Sequence, residues 1–196
     1  MSMQHDKATL RSRMRAWRDG LGTVELDALS EEVEARVVTL PAFTTARTIC
    51  MYMHIGSEVR TGGYIARALL TGKRLVLPRV EGGNLELCHV TNPVHDLTAG
   101  GWGIMEPNPE CEVISPREVN LFLLPGLAFD AMGRRLGYGK GFFDRLLVQS
   151  AGVRVALALE GQIVENVPAN EDDQLVQWVV TPDRVIDCRT PGANIL

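Results

Sequence analysis

LLPGLAFDAMGRRLGYGKGFFDR, residues 123–145, joins an apolar run to a basic, glycine-rich loop with an acid at its far edge. The run from Val119 to Leu124 is apolar apart from Asn120, and Pro125-Gly126 closes it. This pattern predicts a strand that is buried on both faces and ends at a turn. The segment from Phe142 to Val148, after the loop, predicts the start of a helix.

Within the loop, Gly137, Gly139 and Gly141 alternate with Tyr138 and Lys140. Glycine permits positive φ and close backbone approach, so successive N–H groups can converge on phosphate oxygens beside a helix N-terminus and a lysine. The alternative is an ordinary glycine-rich turn between a strand and a helix. Surrounding cations favour the phosphate site: Arg134, Arg135, Lys140 and Arg145.

The loop matches neither of the two common nucleotide motifs. A Walker loop needs Ser or Thr after its Gly-Lys pair, whereas Gly141 follows Lys140. A dinucleotide fingerprint needs Gly-x-Gly-x-x-Gly, and the spacing here is Gly-x-Gly-x-Gly.

The composition is that of a globular protein. The 196 residues fit one domain spanning 1–196, and 45% hydrophobic and 22% charged residues allow a sizeable core. A net charge of −4 argues against general nucleic-acid binding. The cysteines are widely spaced, which predicts reduced thiols rather than a zinc or redox motif, and the histidines lack metal-ligand spacing. No stretch approaches the roughly 18 apolar residues of a membrane span, and the N-terminus is charged, so we expect a cytoplasmic protein without membrane contact. We separately expect a monomer.

The segment from Lys7 to Leu21 predicts an amphipathic helix. Its buried stripe is expected to comprise Leu10, Met14, Trp17 and Leu21. A neighbouring face carries cations at helical spacing, which either converge on one anionic target or form a solvated basic face: Lys7, Arg11, Arg15 and Arg18.

Strand-like runs alternate with helix-like segments along the rest of the chain. Helices are predicted over Val24–Leu40 and Tyr64–Leu70, and Thr91–Pro116 is predicted to be an irregular surface segment. Strands are predicted over Thr48–Met53, Arg74–Pro78, Leu85–Val90, Leu121–Leu124, Val153–Leu159 and Trp178–Thr181. This alternation predicts an α/β fold with a mostly parallel sheet covered on both faces. Because such sheets bind ligands beyond the carboxyl ends of their strands, the Glu58 loop and the glycine loop are expected on the same rim.

Taken together, the basic N-terminal helix, the Glu58-Val59-Arg60-Thr61 loop and the motifs of residues 125–130 and 135–145 resemble the 5-formyltetrahydrofolate cyclo-ligase family. The resemblance runs from Lys7 to about Thr181 in consistent order. It implies a three-layer α/β/α fold similar to the NagB/RpiA/CoA transferase-like fold. It also implies ATP- and Mg²⁺-dependent conversion of 5-formyltetrahydrofolate, with or without a polyglutamate tail, to 5,10-methenyltetrahydrofolate, with release of ADP and phosphate through an imino phosphate.

The resemblance also implies roles for individual residues. Lys7 and Arg11 match cations that reach ATP phosphates, and Arg135 and Lys140 match catalytic positions. The ATP loop would comprise Arg135, Leu136, Gly137, Tyr138, Gly139, Lys140, Gly141, Phe142 and Phe143. The Mg²⁺ ligands would be Asp144 and Asp173, with Asp172 as the rival of Asp173.

On the folate side, the resemblance implies contacts from Glu58, Met53 and Trp102. Phe142 and Phe143 depart from the family pattern, since many members have tyrosine there. Two alternatives remain open: a paralogue that uses ATP on another heterocycle, and a non-catalytic module that binds a nucleotide or folate.

Overall fold

A computed structural model describes residues 3–189 and 194–195, except for the side chains of Trp102, Asn194 and Ile195. Its centre is a nine-stranded sheet in the order β13-β12-β11-β10-β7-β1-β2-β3-β6. The strands are β1 (Thr48–Cys50), β2 (Arg74–Glu81), β3 (Asn84–Val90), β4 (Leu97–Ala99), β5 (Met105–Pro107), β6 (Val113–Ile114), β7 (Leu121–Leu124), β8 (Ala128–Phe129), β9 (Arg135–Leu136), β10 (Val153–Leu157), β11 (Trp178–Val180), β12 (Val185–Asp187) and β13 (Asn194–Ile195). The helices are α1 (Met3–Asp19), α2 (Thr23–Val37), α3 (Pro41–Thr45), α4 (Gly62–Leu70), α5 (Pro93–Asp96) and α6 (Phe142–Leu147).

The middle of the sheet is parallel and both of its edges are antiparallel. Strand β1 pairs in parallel with β2 and β7, β7 with β10, and β10 with β11. Beyond this block, β3 and β6 continue one edge and β12 and β13 the other, all in antiparallel pairs. The predicted mostly parallel sheet is thus confirmed.

Alternate residues of the central strands enter two separate cores. In β7, Leu121 and Leu123 belong to one buried cluster, while Phe122 and Leu124 belong to another. Successive side chains of a strand point to opposite faces, so these clusters lie on the two faces of the sheet. Helices α2, α3 and α4 cover the first face and α6 covers the second. These three layers explain why β7 reads as an uninterrupted apolar run.

Helix α1 packs on a smaller, third cluster rather than on the main sheet. Leu10 and Met14 are buried against the antiparallel pair β8–β9 and against Val167. The predicted stripe was wrong at Trp17, which is 39% exposed and covers Gly161, whereas Leu21 lies beyond the end of α1 and packs against the first core. The cations Lys7 and Arg18 are buried instead, because each has partners on neighbouring segments.

The segment from Thr91 to Pro116 is more regular than predicted. It contains α5, the antiparallel pair β4–β5 and the edge strand β6. These elements have two to four residues each, too few to produce a recognisable period in the sequence. No helix among the residues that the structure describes is long and apolar enough to cross a membrane.

Candidate functional site

The loops that follow β1 and β7 meet at one edge of the sheet. The two strands are parallel neighbours, with Ile49 opposite Leu121 and Cys50 opposite Phe122. Their carboxyl ends, and the segments that follow them, therefore lie at the same rim of the sheet. The contact between the loops is a hydrogen bond of 2.5 Å from the Tyr138 hydroxyl to Glu58 Oε1. The structure therefore brings the glycine loop and the Glu58 loop together.

The glycine loop has a left-handed backbone where its sequence permits one. Gly139 has φ +99° and Gly141, which precedes α6, has φ +65°. A side chain on Gly139 would meet the guanidinium of Arg11, whose carbon lies 3.5 Å from the position of an added Cβ. Arg11 Nε also donates to the Gly137 carbonyl at 2.9 Å. Helix α1 is thus held directly against this loop.

Lys140 extends into solvent from the loop. Lys140 is exposed, and its ammonium group makes no ion pair within the described part of the chain. Its carbonyl oxygen accepts a hydrogen bond of 2.9 Å from Arg145 Nη1. The backbone at Lys140 is therefore fixed while its charge stays available to an anion.

Arg135 is buried behind the loop. Its Nη2 donates to Asp144 Oδ1 at 2.9 Å and its Nη1 to the Pro125 carbonyl at 3.3 Å. Its guanidinium also lies 5.8 Å from the centre of the Phe143 ring. Arg135 Nε is buried without a hydrogen-bond partner among the described residues, so this cation has spare donor capacity.

The two predicted metal ligands belong to adjacent segments. The Gln174 N–H donates to Asp144 Oδ1 at 3.2 Å, which brings the segment containing Asp173 beside Asp144. Asp173 Oδ2 accepts from Lys7 Nζ at 2.5 Å and from the Asn170 N–H at 2.7 Å. Asp172 is exposed, and in the described structure its backbone N–H and carbonyl make hydrogen bonds while its carboxylate makes none. This geometry favours Asp173 over Asp172.

The donor set suits a metal that arrives with a phosphate ligand. No group of three or more His, Cys, Asp or Glu side chains among the described residues is arranged to hold a metal ion. Mg²⁺ often takes only one or two protein carboxylates and completes its shell with phosphate oxygens and water. Asp144 and Asp173 therefore fit Mg²⁺ bound together with a nucleotide.

Glu58 is a buried carboxylate at the same site, with 3% of its surface exposed. Its Oε2 accepts from the Ile55 N–H at 3.0 Å, and its Oε1 accepts from Tyr138. Burial raises the pKa of Glu58, while those two hydrogen bonds and the charge of Arg18 oppose the rise. Each oxygen retains a lone pair for a further donor.

Arg18 is a site residue that the sequence did not single out from the other cations of α1. Its guanidinium donates to Ser57 Oγ at 2.9 Å, to the Gly126 carbonyl at 3.2 Å and to the Tyr138 hydroxyl at 2.7 Å. The arginine therefore touches both loops. The signal in the sequence was its spacing of eleven residues from Lys7 and seven from Arg11, which places all three on neighbouring faces of one helix.

Asp130 is a second residue whose part in building the site was missed. It is fully buried, pairs with Arg134 Nε at 2.8 Å and accepts from the Val167 N–H at 2.9 Å. The carboxylate ties the turn before Arg135 to the segment that precedes Asp173. We interpret the Asp of the 125–130 motif as a structural residue for this reason.

The remaining predicted residues are more loosely connected to this cluster. Met53 is half-buried and packs against the core under α2 and α4, and His54 Nδ1 accepts from the Thr61 N–H at 3.3 Å. Burial lowers the pKa of His54, as does the charge of Arg60. Trp102 lies in the short 3-10 helix Gly101–Gly103, and its side chain is outside the described structure. The Phe142 ring lies 5.5 Å from the guanidinium of Arg145.

Comparison with known proteins places this site in a family context. The sequence model of the 5-formyltetrahydrofolate cyclo-ligase family matches residues 3–182. The 5-formyltetrahydrofolate cyclo-ligase of Escherichia coli is 30% identical, over 88% of this chain and 98% of its own. The mitochondrial 5-formyltetrahydrofolate cyclo-ligase of Arabidopsis thaliana is 32% identical, over 96% of this chain and 76% of its own.

A solved structure shows the same fold. The NMR structure of the Aquifex aeolicus 5,10-methenyltetrahydrofolate synthetase superposes with a TM-score of 0.86 at 36% sequence identity. The match covers 97% of this chain and 96% of the other. The similarity therefore extends over the sheet, α1 and both loops of the site.

Proposed function

Because the chain belongs to the 5-formyltetrahydrofolate cyclo-ligase family and is thus an enzyme of the ligase class, we propose that it closes 5-formyltetrahydrofolate to 5,10-methenyltetrahydrofolate. ATP is the proposed co-substrate and Mg²⁺ the proposed cofactor. ADP and phosphate are the expected by-products.

The proposed chemistry gives the cations of the site a physical task. The formyl oxygen of an amide is a poor leaving group, so the γ-phosphoryl group is transferred to it and an imino phosphate forms. The neighbouring folate nitrogen then attacks the activated carbon, the ring closes and phosphate leaves. Phosphoryl transfer is catalysed mainly by positioning and by stabilisation of charge.

Four cations are proposed to provide that stabilisation. Arg11 contacts the glycine loop, Lys140 belongs to it and Lys7 lies one turn before Arg11 on α1; all three are proposed to bind phosphate oxygens. Arg135 supports the loop from behind and has an unused Nε donor. Asp144 and Asp173 would hold Mg²⁺, which when bound neutralises phosphate charge.

The folate is proposed to bind on the other side of Tyr138. Glu58 would accept N–H donors of the reduced pterin, because its buried oxygens still have free lone pairs. Met53 would supply an apolar wall and Trp102 an aromatic face. We further propose that the chain works as a single-domain monomer; its cytoplasmic location stays a prediction.

One observation carries this proposal beyond family membership. The hydrogen bond from Tyr138 to Glu58 joins the proposed ATP loop to the loop of the proposed folate-binding acid, which supports the proposal that both substrates bind at one site.

An absorbance assay tests the proposal. The purified chain should produce the methenyl-folate absorbance only when ATP, Mg²⁺ and 5-formyltetrahydrofolate are all present, and each omission should abolish the signal. No signal at any practical enzyme concentration would refute the proposed reaction. ATP binding without any response to the folate would indicate another heterocyclic substrate.

A further inference from the structure

The Tyr138 hydroxyl lies between a cation and an anion that come from different segments. Arg18 Nη2 is 2.7 Å from it and Glu58 Oε1 is 2.5 Å from it. Arg15 lies on the same ring, with its guanidinium carbon 5.7 Å from the ring centre. Tyr138 itself stands between Gly137 and Gly139, in the middle of the glycine loop.

Charge fixes the direction of this hydrogen-bond chain. A guanidinium has donors only, and an ionised carboxylate has acceptors only. The hydroxyl must therefore accept from Arg18 and donate to Glu58. Burial, followed by the charge of Glu58, raises the pKa of Tyr138, so the hydroxyl keeps the proton that it donates.

Few other groups face the Glu58 carboxylate. Its second oxygen accepts from the Ile55 N–H. Arg18 is the charged side chain that opposes the rise in the Glu58 pKa, and Tyr52 is a nearby neutral phenol. The Tyr52 hydroxyl is directed elsewhere, since it donates to the Val59 carbonyl at 3.0 Å. Among the described residues, Tyr138 is therefore the side chain that donates directly to Glu58.

We propose that Tyr138 is a positioning residue that orients Glu58 and keeps it ionised for the folate. The substrate in this statement rests on the proposed function, whereas the effect on Glu58 is a property of the protein without ligands. Since Tyr138 belongs to the glycine loop, the conformation of the proposed ATP loop would set the state of the folate-binding acid.

The direct test is a pH titration of Glu58 in the ligand-free chain, in which carbon-detected NMR monitors the carboxyl resonance. That resonance is assigned by its absence from the spectrum of Glu58→Gln. In Tyr138→Phe we expect the titration of Glu58 to move to higher pH, with an increase of about tenfold in the proton affinity of the carboxyl. Tyr52→Phe is the matched control, because it removes a buried hydroxyl that does not contact Glu58; it should leave the titration in place. An unchanged titration in Tyr138→Phe, or an equal shift in both variants, would overturn the proposal.

A second variant and a kinetic readout separate this proposal from the proposed reaction. Tyr138→3-fluorotyrosine keeps the hydroxyl and makes it a stronger donor, so the Glu58 titration should move to lower pH, and this variant decides the matter if Tyr138→Phe does not fold. In Tyr138→Phe the KM for 5-formyltetrahydrofolate should rise by at least about tenfold, since one hydrogen bond to a charged group is lost. The acid limb of the pH profile should follow the NMR shift; a rise in KM without that shift would contradict the proposal. If the wild-type chain proves inactive on folate, the reaction is wrong while the titration still tests Tyr138.

Discussion

Lys7 Nζ lies 2.5 Å from Asp173 Oδ2, which joins the first helix directly to the acidic segment before β11. The lysine side chain is 8% exposed and the aspartate side chain 21%. In the proposed reaction these two residues bind opposite charges, phosphate and Mg²⁺. In the structure without ATP they neutralise each other.

This pair can be separated into its structural and catalytic parts. Lys7→Met should lower the free energy of unfolding by about 2 kcal/mol, because it leaves a mostly buried carboxylate without its cation. Adding Asp173→Asn to Lys7→Met should restore most of that stability, and chemical denaturation of the single and double variants measures the recovery. ATP-dependent turnover should stay low in Lys7→Met, in Asp173→Asn and in the double variant. Recovery of turnover in the double variant would exclude the assigned roles.

Lys140 should affect activity without affecting stability. Its ammonium makes no ion pair in the described structure, so Lys140→Ala should change the free energy of unfolding by less than about 0.5 kcal/mol. The value of kcat/KM for ATP should fall by at least about tenfold, because a charge-assisted bond to phosphate is lost. Arg13→Ala removes an exposed cation on α1 as a control and should leave both measurements unchanged. Normal ATP kinetics in Lys140→Ala would show that this lysine does not bind phosphate.

The backbone of the glycine loop should resist a side chain at Gly139. With φ at +99°, Gly139→Ala is strained and should cost about 1–3 kcal/mol of stability, or distort the loop and weaken ATP binding. Gly62→Ala is the control, because an added Cβ there meets nothing within 4 Å and the residue begins α4. That change should be neutral or stabilise the protein by up to about 1 kcal/mol. Thermal unfolding and ATP titration would distinguish the two; equal behaviour would contradict the strain argument.

Two buried tyrosines should respond oppositely to loss of the hydroxyl. The Tyr64 hydroxyl has no hydrogen-bond partner among the described residues, and the side chain is fully buried. Tyr64→Phe should therefore stabilise the protein by about 1 kcal/mol. Tyr52→Phe removes the bond to the Val59 carbonyl and should destabilise it by a similar amount. Melting temperatures measured in one buffer test the sign of each change, and a lower value for Tyr64→Phe would argue against an unsatisfied hydroxyl.

Glu58 should make stability depend on pH. Because burial raises its folded-state pKa, the folded protein holds this proton more tightly than the unfolded chain does. The contribution of Glu58 to stability is complete below the unfolded pKa and is lost as pH rises through the folded pKa. Glu58→Gln should therefore gain stability relative to the wild type as pH rises from about 4 to about 7, while it loses folate turnover. A constant difference in melting temperature across that range would contradict the assignment.

The parts of the fold that were predictable from the sequence are those with a long or repeated pattern. The apolar run at Leu121–Leu124 lies in the middle of the sheet and is covered by helices on both faces, so every residue of the strand is apolar and the pattern is easily recognised. The edge strands β6 and β13 and the pair β8–β9 have two residues each. Their pairing depends on partners far away in the chain, which local patterns do not specify.

The candidate site likewise has a part that was predictable from the sequence and a part that was not. The glycine loop could be predicted as a phosphate site because its residues are contiguous in the sequence. Its assignment to ATP came from the resemblance to the family, because the spacing of the glycines alone matched neither common nucleotide motif. The burial of Lys7 and Arg18 was not visible, since charged residues are normally exposed unless paired, and their partners lie 166 and 120 residues away. Asp130 was missed for a similar reason: its partner at Val167 is 37 residues on.

The position of β7 in the sheet has a consequence for synthesis on the ribosome. Strands β1, β2 and β3 can pair with one another early, yet the other side of β1 is reserved for a strand that emerges some seventy residues later. Until residue 124 has left the exit tunnel, the nascent chain presents an open β edge. That edge is three residues long in β1, which limits the number of backbone hydrogen bonds through which two growing chains can join by mistake.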